Sequence, residues 1–520
     1  MLEGVDSTVA RMDELKSAVV LALVAVIGLA ACAYTGRRQP AADAVEPVSS
    51  SKASELAAEQ QRLRDIIVFA SNHYGRGLAE LRDAIAAPAF KSLAVDDQFQ
   101  ALTLATAATT PTETTLAHSY LDRAIALPGI GFEDQLATLG LAVNSGYAAA
   151  AAKSLTLLVR QWPDRLASFD NRLIFRALWL AERVAPGDRL LVLQALYAAH
   201  WKVEWDIEPS AYWRDLALLL LEQGSLREAI DVSTHVTEPY VLIGMRADRR
   251  FDGIVAAHPE QFEVELAADR ELKFFQSLSD EHPKSLALKA RVMEALLHEQ
   301  HYAAMLAASD YAVQEISATN FPDKLYDDYV EEHGSYFYLR SVALQREGLW
   351  DEAVAQLVEA GHEGDISQLI NLASLYCALD RPKEALTVMS PVGPTRTSAY
   401  GTMQVEAVRL QSAVELGDRA QLSRSMQYLS SHYADAPRAY LYALMVAKQL
   451  DRAARYLITT LEDKELRQSI LPDIQEYLPN PGSKTELEME ARWRSVIARK
   501  EVQAAIHKVG RVESYHLEAP

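Results

Sequence analysis

The sequence predicts an all-α protein, an α-solenoid of consecutive helical hairpins, and three observations predict it. Apolar residues recur at spacings of three and four along most of the chain, the period of a helix with one buried face. Gly and Pro punctuate that pattern at short intervals, so the helices run about a dozen residues and are joined by tight turns. Strand-like alternation is scarce. The chain has 520 residues, 49% hydrophobic and 23% charged, which supplies ample side chain for a buried core. Its length follows from stacking small units rather than from several globular domains.

The formal net charge of -20 opposes a phosphate backbone, and no basic stripe interleaved with aromatics offsets it, so no nucleic acid is expected as a partner. Two cysteines, Cys32 and Cys377, are too few for a disulfide scaffold or a thiolate zinc site. Cys377 follows Tyr376 inside a helical pattern and reads as a small buried hydrophobe.

Residues 1–31 read as a signal peptide or membrane anchor. From Ser17 to Ala31 the chain is uncharged and almost wholly apolar, and it ends in Leu29, Ala30, Ala31 and Cys32. That ending resembles a bacterial lipobox, which implies lipid attachment at Cys32. Ala33 in the next position lacks the aspartate associated with inner-membrane retention, so the resemblance implies an outer-membrane lipoprotein facing the periplasm. The acidic stretch before the apolar run departs from a basic signal n-region. An uncleaved single-span anchor, with Arg37 and Arg38 behind it, and an ordinary cleaved signal are the other two readings. All three bring the chain to a membrane or the cell envelope. Residues 32–55, rich in Ala, Pro and Ser, read as a flexible tether.

Residues 56–209 read as an N-terminal helical region with degenerate repeats. Leu63, Ile66, Ala70, Tyr74, Leu78, Leu81 and Ile85 fall on one face of a helix ending before Pro88. A hairpin spans Ala137 to Pro163, with Leu139, Gly140, Val143, Gly146, Tyr147 and Ala150. Its neighbours are separated by Pro128-Gly129, Pro163-Asp164 and Pro186-Gly187.

The clearest hairpin is Ala211 to Pro239. Trp213, Leu216, Ala217 and Leu220 line its first helix, Gly224 makes the turn, Leu226 opens the second helix, and Ala229 takes the crossing. Two helices approach closely only where small side chains meet, with large ones beside them. In this order of residues the hairpin resembles the tetratricopeptide repeat, although Ser233 stands where that family usually has an aromatic. A second hairpin, Phe337 to Ala360, offers Leu344, Gly348, Trp350, Ala353 and Leu357. A third, Leu369 to Val392, offers Leu372, Ala373, Tyr376, Ala385 and Met389, with Asp380 in place of the turn glycine. A fourth has Val414, Gly417, Leu422 and Met426, and a fifth runs through Tyr440, Ala454 and Ile458. Taking Ala353, Ala385, Leu422 and Ala454 as markers, the spacings are 32, 37 and 32 residues. They scatter around the ~34-residue period of the family.

A weaker hairpin covers Lys289 to Ala312, and Phe251 to Ser279 departs from the repeat as an insertion or long linking helix. Residues 210–467 thus carry the repeats, interrupted near 251–279. In 468–520, read as capping helices and tail, Ser483 and Glu486 form a capping box opening a helix to about His507. The resemblance implies a right-handed superhelix whose concave surface, lined by first helices, binds a protein or peptide partner. The stretches Tyr212 to Glu222, Tyr338 to Arg346 and Gln368 to Ala378 are where that contact is expected.

Catalytic motifs are missing: no nucleophile elbow, phosphate loop or dinucleotide fingerprint occurs, so no enzyme activity and no cofactor are expected. His298, Glu299 and His301 have the wrong spacing for a zinc helix, and no metal is expected. The run Tyr326 to His333 reads as a solvated acidic face. Trp162, Trp179, Trp201, Trp205 and Trp213 read as packing between helices. Their alternative is an aromatic platform for glycan, which would suit an envelope carbohydrate-binding or export accessory lipoprotein. The leading expectation is a non-catalytic scaffold in the cell envelope.

Overall fold

The computed structural model describes residues 50–73, 77–182, 184, 186–361, 365–393 and 397–520. The apolar run before the tether and Cys32 lie outside the described residues. The described chain is all-α, and β-structure within it is limited to the isolated bridges Val203–Ile207, Asp248–Gly510 and Glu476–Ser514. It divides into two compact units, one ending at Gln223 and the other running from Gly224 to Pro520. The boundary falls inside the clearest sequence hairpin, and residues 251–279 lie within the second unit.

The first unit contains α1 (Ser50–Asn72), α2 (Leu78–Ala86), α3 (Val95–Ala107), α4 (Thr114–Ile125), α5 (Phe132–Asn144), α6 (Ala148–Gln161), α7 (Asn171–Ala181), α8 (Pro186–Ala198) and α9 (Ser210–Glu222). The single helix expected from Leu63 to Ile85 is in fact two, α1 and α2, with Gly77 between them at φ +84°. Tyr74 lies outside the described residues. Ile67, 1% exposed, joins Leu63 and Ala70 in the core, with Ile66 partly buried against it. Leu63, Ile67, Leu81, Phe90 and Leu102 build one core here.

The second unit holds α10 (Leu226–Ser233), α11 (Pro239–Ala247), α12 (Asp252–Ala257), α13 (Val264–Glu281), α14 (Leu286–His298), α15 (Tyr302–Ser317), α16 (Tyr329–Arg346) and α17 (Trp350–Ala360). It continues with α18 (Ile366–Ala378), α19 (Pro382–Met389), α20 (Ala399–Leu416), α21 (Arg419–Ser431), α22 (Pro437–Val446), α23 (Leu450–Glu462), α24 (Arg467–Ile470), α25 (Lys484–Ile497) and α26 (Lys500–Val509). Pairs α14–α15, α16–α17, α18–α19, α20–α21 and α22–α23 are hairpins. The first helices α14, α16, α18, α20 and α22 also pack on one another in sequence, while no comparable contact among the described residues joins consecutive second helices. Such one-sided stacking is what repeat arrays use to form a continuous core from units that contact only their neighbours.

One turn recurs throughout. At Gly146, His200, Gln300, Gly348, Asp380, Gly417 and Lys448 the residue after the helix has positive φ, between 52° and 75°. Each donates its N–H to the carbonyl three residues back, and the next residue donates to the carbonyl five back, as in Leu349 to Leu344 at 2.8 Å and Gln449 to Leu444 at 2.8 Å. This pair of bonds is the Schellman motif, and it satisfies carbonyls that a helix end leaves orphaned. Five residues after the turn most of these hairpins place a small, fully buried side chain. Ala151, Ala353, Ala385 and Ala453 are each 0% exposed there. Within the second unit Ala229, five residues after Gly224 at φ +79°, is also 0% exposed.

In the fourth and fifth hairpins the small residue differs from the sequence markers. Leu422 is only partly buried, and Ser425, 0% exposed and bonded to Glu406 at 2.6 Å, sits in the interior of α21 instead. Ala453 rather than Ala454 stands five residues after the turn at Lys448. The C-terminal capping box is formed at Ser483 and Glu486, but the helix it opens stops at Ile497 and a second, α26, begins at Lys500.

Candidate partner-binding face

Most of the residues expected to pack the repeats are buried or partly buried, and the glycines among them lie exposed at turns. In the first unit Trp213, Leu216 and Ala217 are buried; in the second, Ala353 and Ala385 are buried, Trp350 and Tyr376 are partly buried, and Gly348 makes its turn at φ +75°. Cys377 is fully buried, its Sγ 3.4 Å from Ser412 Oγ, and burial pushes its thiol up to about 12. It stays protonated at ordinary pH.

The tryptophan group resolves into packing for two members. Trp201 and Trp213 meet edge to face at 6.1 Å and are 2% and 1% exposed. Trp201 donates to Asn171 at 3.3 Å and Trp213 to Glu208 at 2.9 Å. Neither ring has a face open to a glycan. Trp179 is half exposed.

Asp328 belongs to the run read as a solvated acidic face, and the structure corrects that reading. Its carboxylate accepts from the N–H groups of Leu286 at 2.7 Å and Ala287 at 3.0 Å and from Ser285 Oγ at 2.8 Å, capping α14 from the start of the next hairpin. Tyr326 and His333 in the same run are buried. A local sequence window cannot show a cap delivered from that far along the chain.

His298 also has a structural setting. Its Nδ1 lies 3.2 Å from Glu271 Oε2, and its ring meets the Tyr240 ring edge to face at 4.7 Å. His301 pairs with Glu299 at 3.2 Å. No group of three or more His, Cys, Asp or Glu among the described residues is arranged to hold a metal.

The first-helix stretches of the second unit are less open than expected. In Gln368 to Ala378 only Ser374 is exposed, and within Tyr338 to Arg346 none is. Part of the cover is the chain's own C-terminus. Helix α25 packs against α18, α22 and α23, and α26 packs along α23. Residues after α26 then return to earlier hairpins. Gly510 bridges Asp248, and Arg511 donates to the Ala247 carbonyl at 3.0 Å. Glu513 takes Arg246 Nε at 2.7 Å, and Tyr515 donates to the Glu476 carbonyl at 2.8 Å.

The tail ends in a cluster of polar bonds at the ends of α14 and α16. The Glu518 N–H donates to the carbonyl of His298, the last residue of α14, at 2.8 Å. Its carbonyl accepts from Tyr240 at 2.7 Å, and its carboxylate accepts from Tyr302 at 2.5 Å and from Arg346 Nε at 2.8 Å. Leu517 and Glu518 are 1% and 3% exposed. Burial works against the Arg346 charge, and Glu518 beside it more than offsets that, so the guanidinium is held above its usual range. Burial raises the Tyr302 phenol, and the Glu518 carboxylate raises it further. A carboxylate held this far out of water needs a compensating charge, and Arg346 supplies it. Tyr240, Tyr302 and Glu518 are site residues that hydrophobic periodicity could not find.

These features define the class as all-helical repeat proteins. No protein-family model matches the chain, and no curated protein matches it. Among solved structures, a circular tandem repeat protein with novel repeat topology and enhanced subunit contact surfaces is 17% identical, with 88% of this chain and 99% of that one covered and a TM-score of 0.15. At that score the likeness adds nothing to what the hairpins themselves establish. No helix among the described residues is long and apolar enough to cross a membrane.

Proposed function

We propose that the chain is a non-catalytic scaffold of tetratricopeptide type, anchored in the bacterial cell envelope through Cys32 or an N-terminal span, that holds a peptide or protein partner on its first helices. The observation that carries the reading is the repeated hairpin, with the same turn bonding and a small residue five positions later in most repeats. Repeat arrays of this kind present extended surfaces suited to binding a partner.

Affinity capture from solubilised membranes tests it. The wild-type chain is compared with Asn371→Arg/Ser374→Arg, on α18, and with Glu359→Arg, on α17. The proposal expects a specific protein retained by the wild type and by the α17 variant and lost from the α18 variant. A capture profile indifferent to the α18 change contradicts it. For the anchor, metabolic labelling with a fatty acid should mark the wild type and not Cys32→Ala; equal membrane attachment and mass for the two removes the lipid.

A further inference from the structure

Glu518 is recognised as a bound peptide residue would be. Its backbone N–H and C=O each have one partner, His298 and Tyr240, and its carboxylate has two, Tyr302 and Arg346. The partners come from three helices, α11, α14 and α16, and from the first residue of α15. Leu517 beside it is 1% exposed, and its carbonyl accepts from Leu478 at 3.1 Å. Backbone donor, backbone acceptor, side-chain charge and a neighbouring apolar group are all read at once. That combination gives specificity for an extended segment, since a wrong residue leaves buried polar groups unpaired.

We propose that Tyr240, His298, Tyr302 and Arg346 form a receptor site for an extended peptide bearing Leu-Glu, which the chain's own Leu517–Glu518 fills in cis. The proposal rests on the scaffold reading above and names the chemistry of one partner. A trans peptide enters only when the tail leaves, because both require the same hydrogen bonds. The tail is linked to its site by the same chain, so its effective concentration there is on the order of millimolar and a free peptide competes poorly.

The probe is a fluorescent synthetic peptide of residues 511–520, titrated into full-length protein and followed by polarisation. Glu518→Lys in the full chain places a cation against Arg346 and releases the tail. The peptide is expected to bind this variant at least about tenfold tighter than it binds the wild type. A peptide carrying the same Glu518→Lys change should lose that binding. An Arg346→Glu chain should then prefer the lysine peptide over the natural one, a reversal that misfolding cannot produce. Equal binding to wild-type and Glu518→Lys chains, or no reversal, overturns the proposal. So does a stable dimer of the wild type in sedimentation that dissociates in Glu518→Lys, because the occupant would then be a second copy's tail. If the peptide fails here while membrane capture still depends on α18, the receptor site is wrong and the scaffold stands. The converse result leaves the site and removes the scaffold's external partner.

Discussion

Arg346 Nε donates to Glu518 Oε1 at 2.8 Å, tying the last residue of α16 to a residue 172 positions further along the chain. Side-chain exposures of 18% and 4% place the pair largely out of water. Replacing Glu518 by Ala removes the anion and lets the tail peel away, so that Arg346 can regain hydration. The expected cost is about 2 kcal/mol, the size of a hydrogen bond to a charged group, read as a lower urea midpoint. An unchanged midpoint would mean that the tail contributes nothing to stability.

The repeated turn makes a second prediction. Lys448 is an exposed residue at φ +57°, a conformation that costs an L side chain on the order of 1 kcal/mol and costs Gly little. Lys448→Gly should raise stability by about 0.5–1 kcal/mol, and Gly348→Ala, at φ +75°, should lower it by about 1 kcal/mol. Thermal unfolding measures both; shifts of the same sign would contradict the assigned turn.

Asp328 supplies a third. It satisfies two backbone N–H groups at the start of α14, and no water replaces a carboxylate there without loss. Asp328→Ala should cost about 1–2 kcal/mol, with faster amide exchange at Leu286 and Ala287. If those amides exchange as before, the cap is not formed in solution.

Asp473 sets a pH dependence. Burial raises its carboxyl to about 6, against the opposing pull of Arg438 at 2.7 Å. The folded state therefore binds a proton more tightly than the unfolded chain, whose carboxyl titrates at about 3.9. This contribution is present in full below the unfolded value and is lost as pH rises through about 6. Asp473→Asn should flatten the fall in stability between about pH 4 and 6. A slope identical to the wild type's would place Asp473 in solvent.

Hairpins were legible where a glycine marked the turn at Gly146, Gly348 and Gly417, but not at Gly77, where the apolar spacing runs straight through the glycine. Asp380 was legible only through the residues around it. His200, Gln300 and Lys448 adopt the same conformation without glycine, because tertiary packing of the two helices repays the strain, and propensity alone cannot see that. The small buried residues Ala229, Ala353 and Ala385 were readable from their neighbours. In α21 the pattern misled, since Leu422 looks like a core residue and Ser425, bonded to Glu406, is one. Long-range contacts were the illegible part. Asp328 capping α14 and Glu518 reaching Tyr240, 278 residues away, leave no mark in any local window.

Native-state hydrogen exchange tests the docked tail most directly. The amides of Tyr515, Glu518 and Leu478 are bonded to the carbonyls of Glu476, His298 and Leu517 at 2.8, 2.8 and 3.1 Å. They should exchange at least about a hundredfold slower than in a free peptide, and in Glu518→Lys they should speed up while the turn amides of Leu349, Arg381 and Gln449 stay slow. Free-peptide rates for Tyr515 and Glu518 in the wild-type chain, with those turn amides still protected, would contradict it.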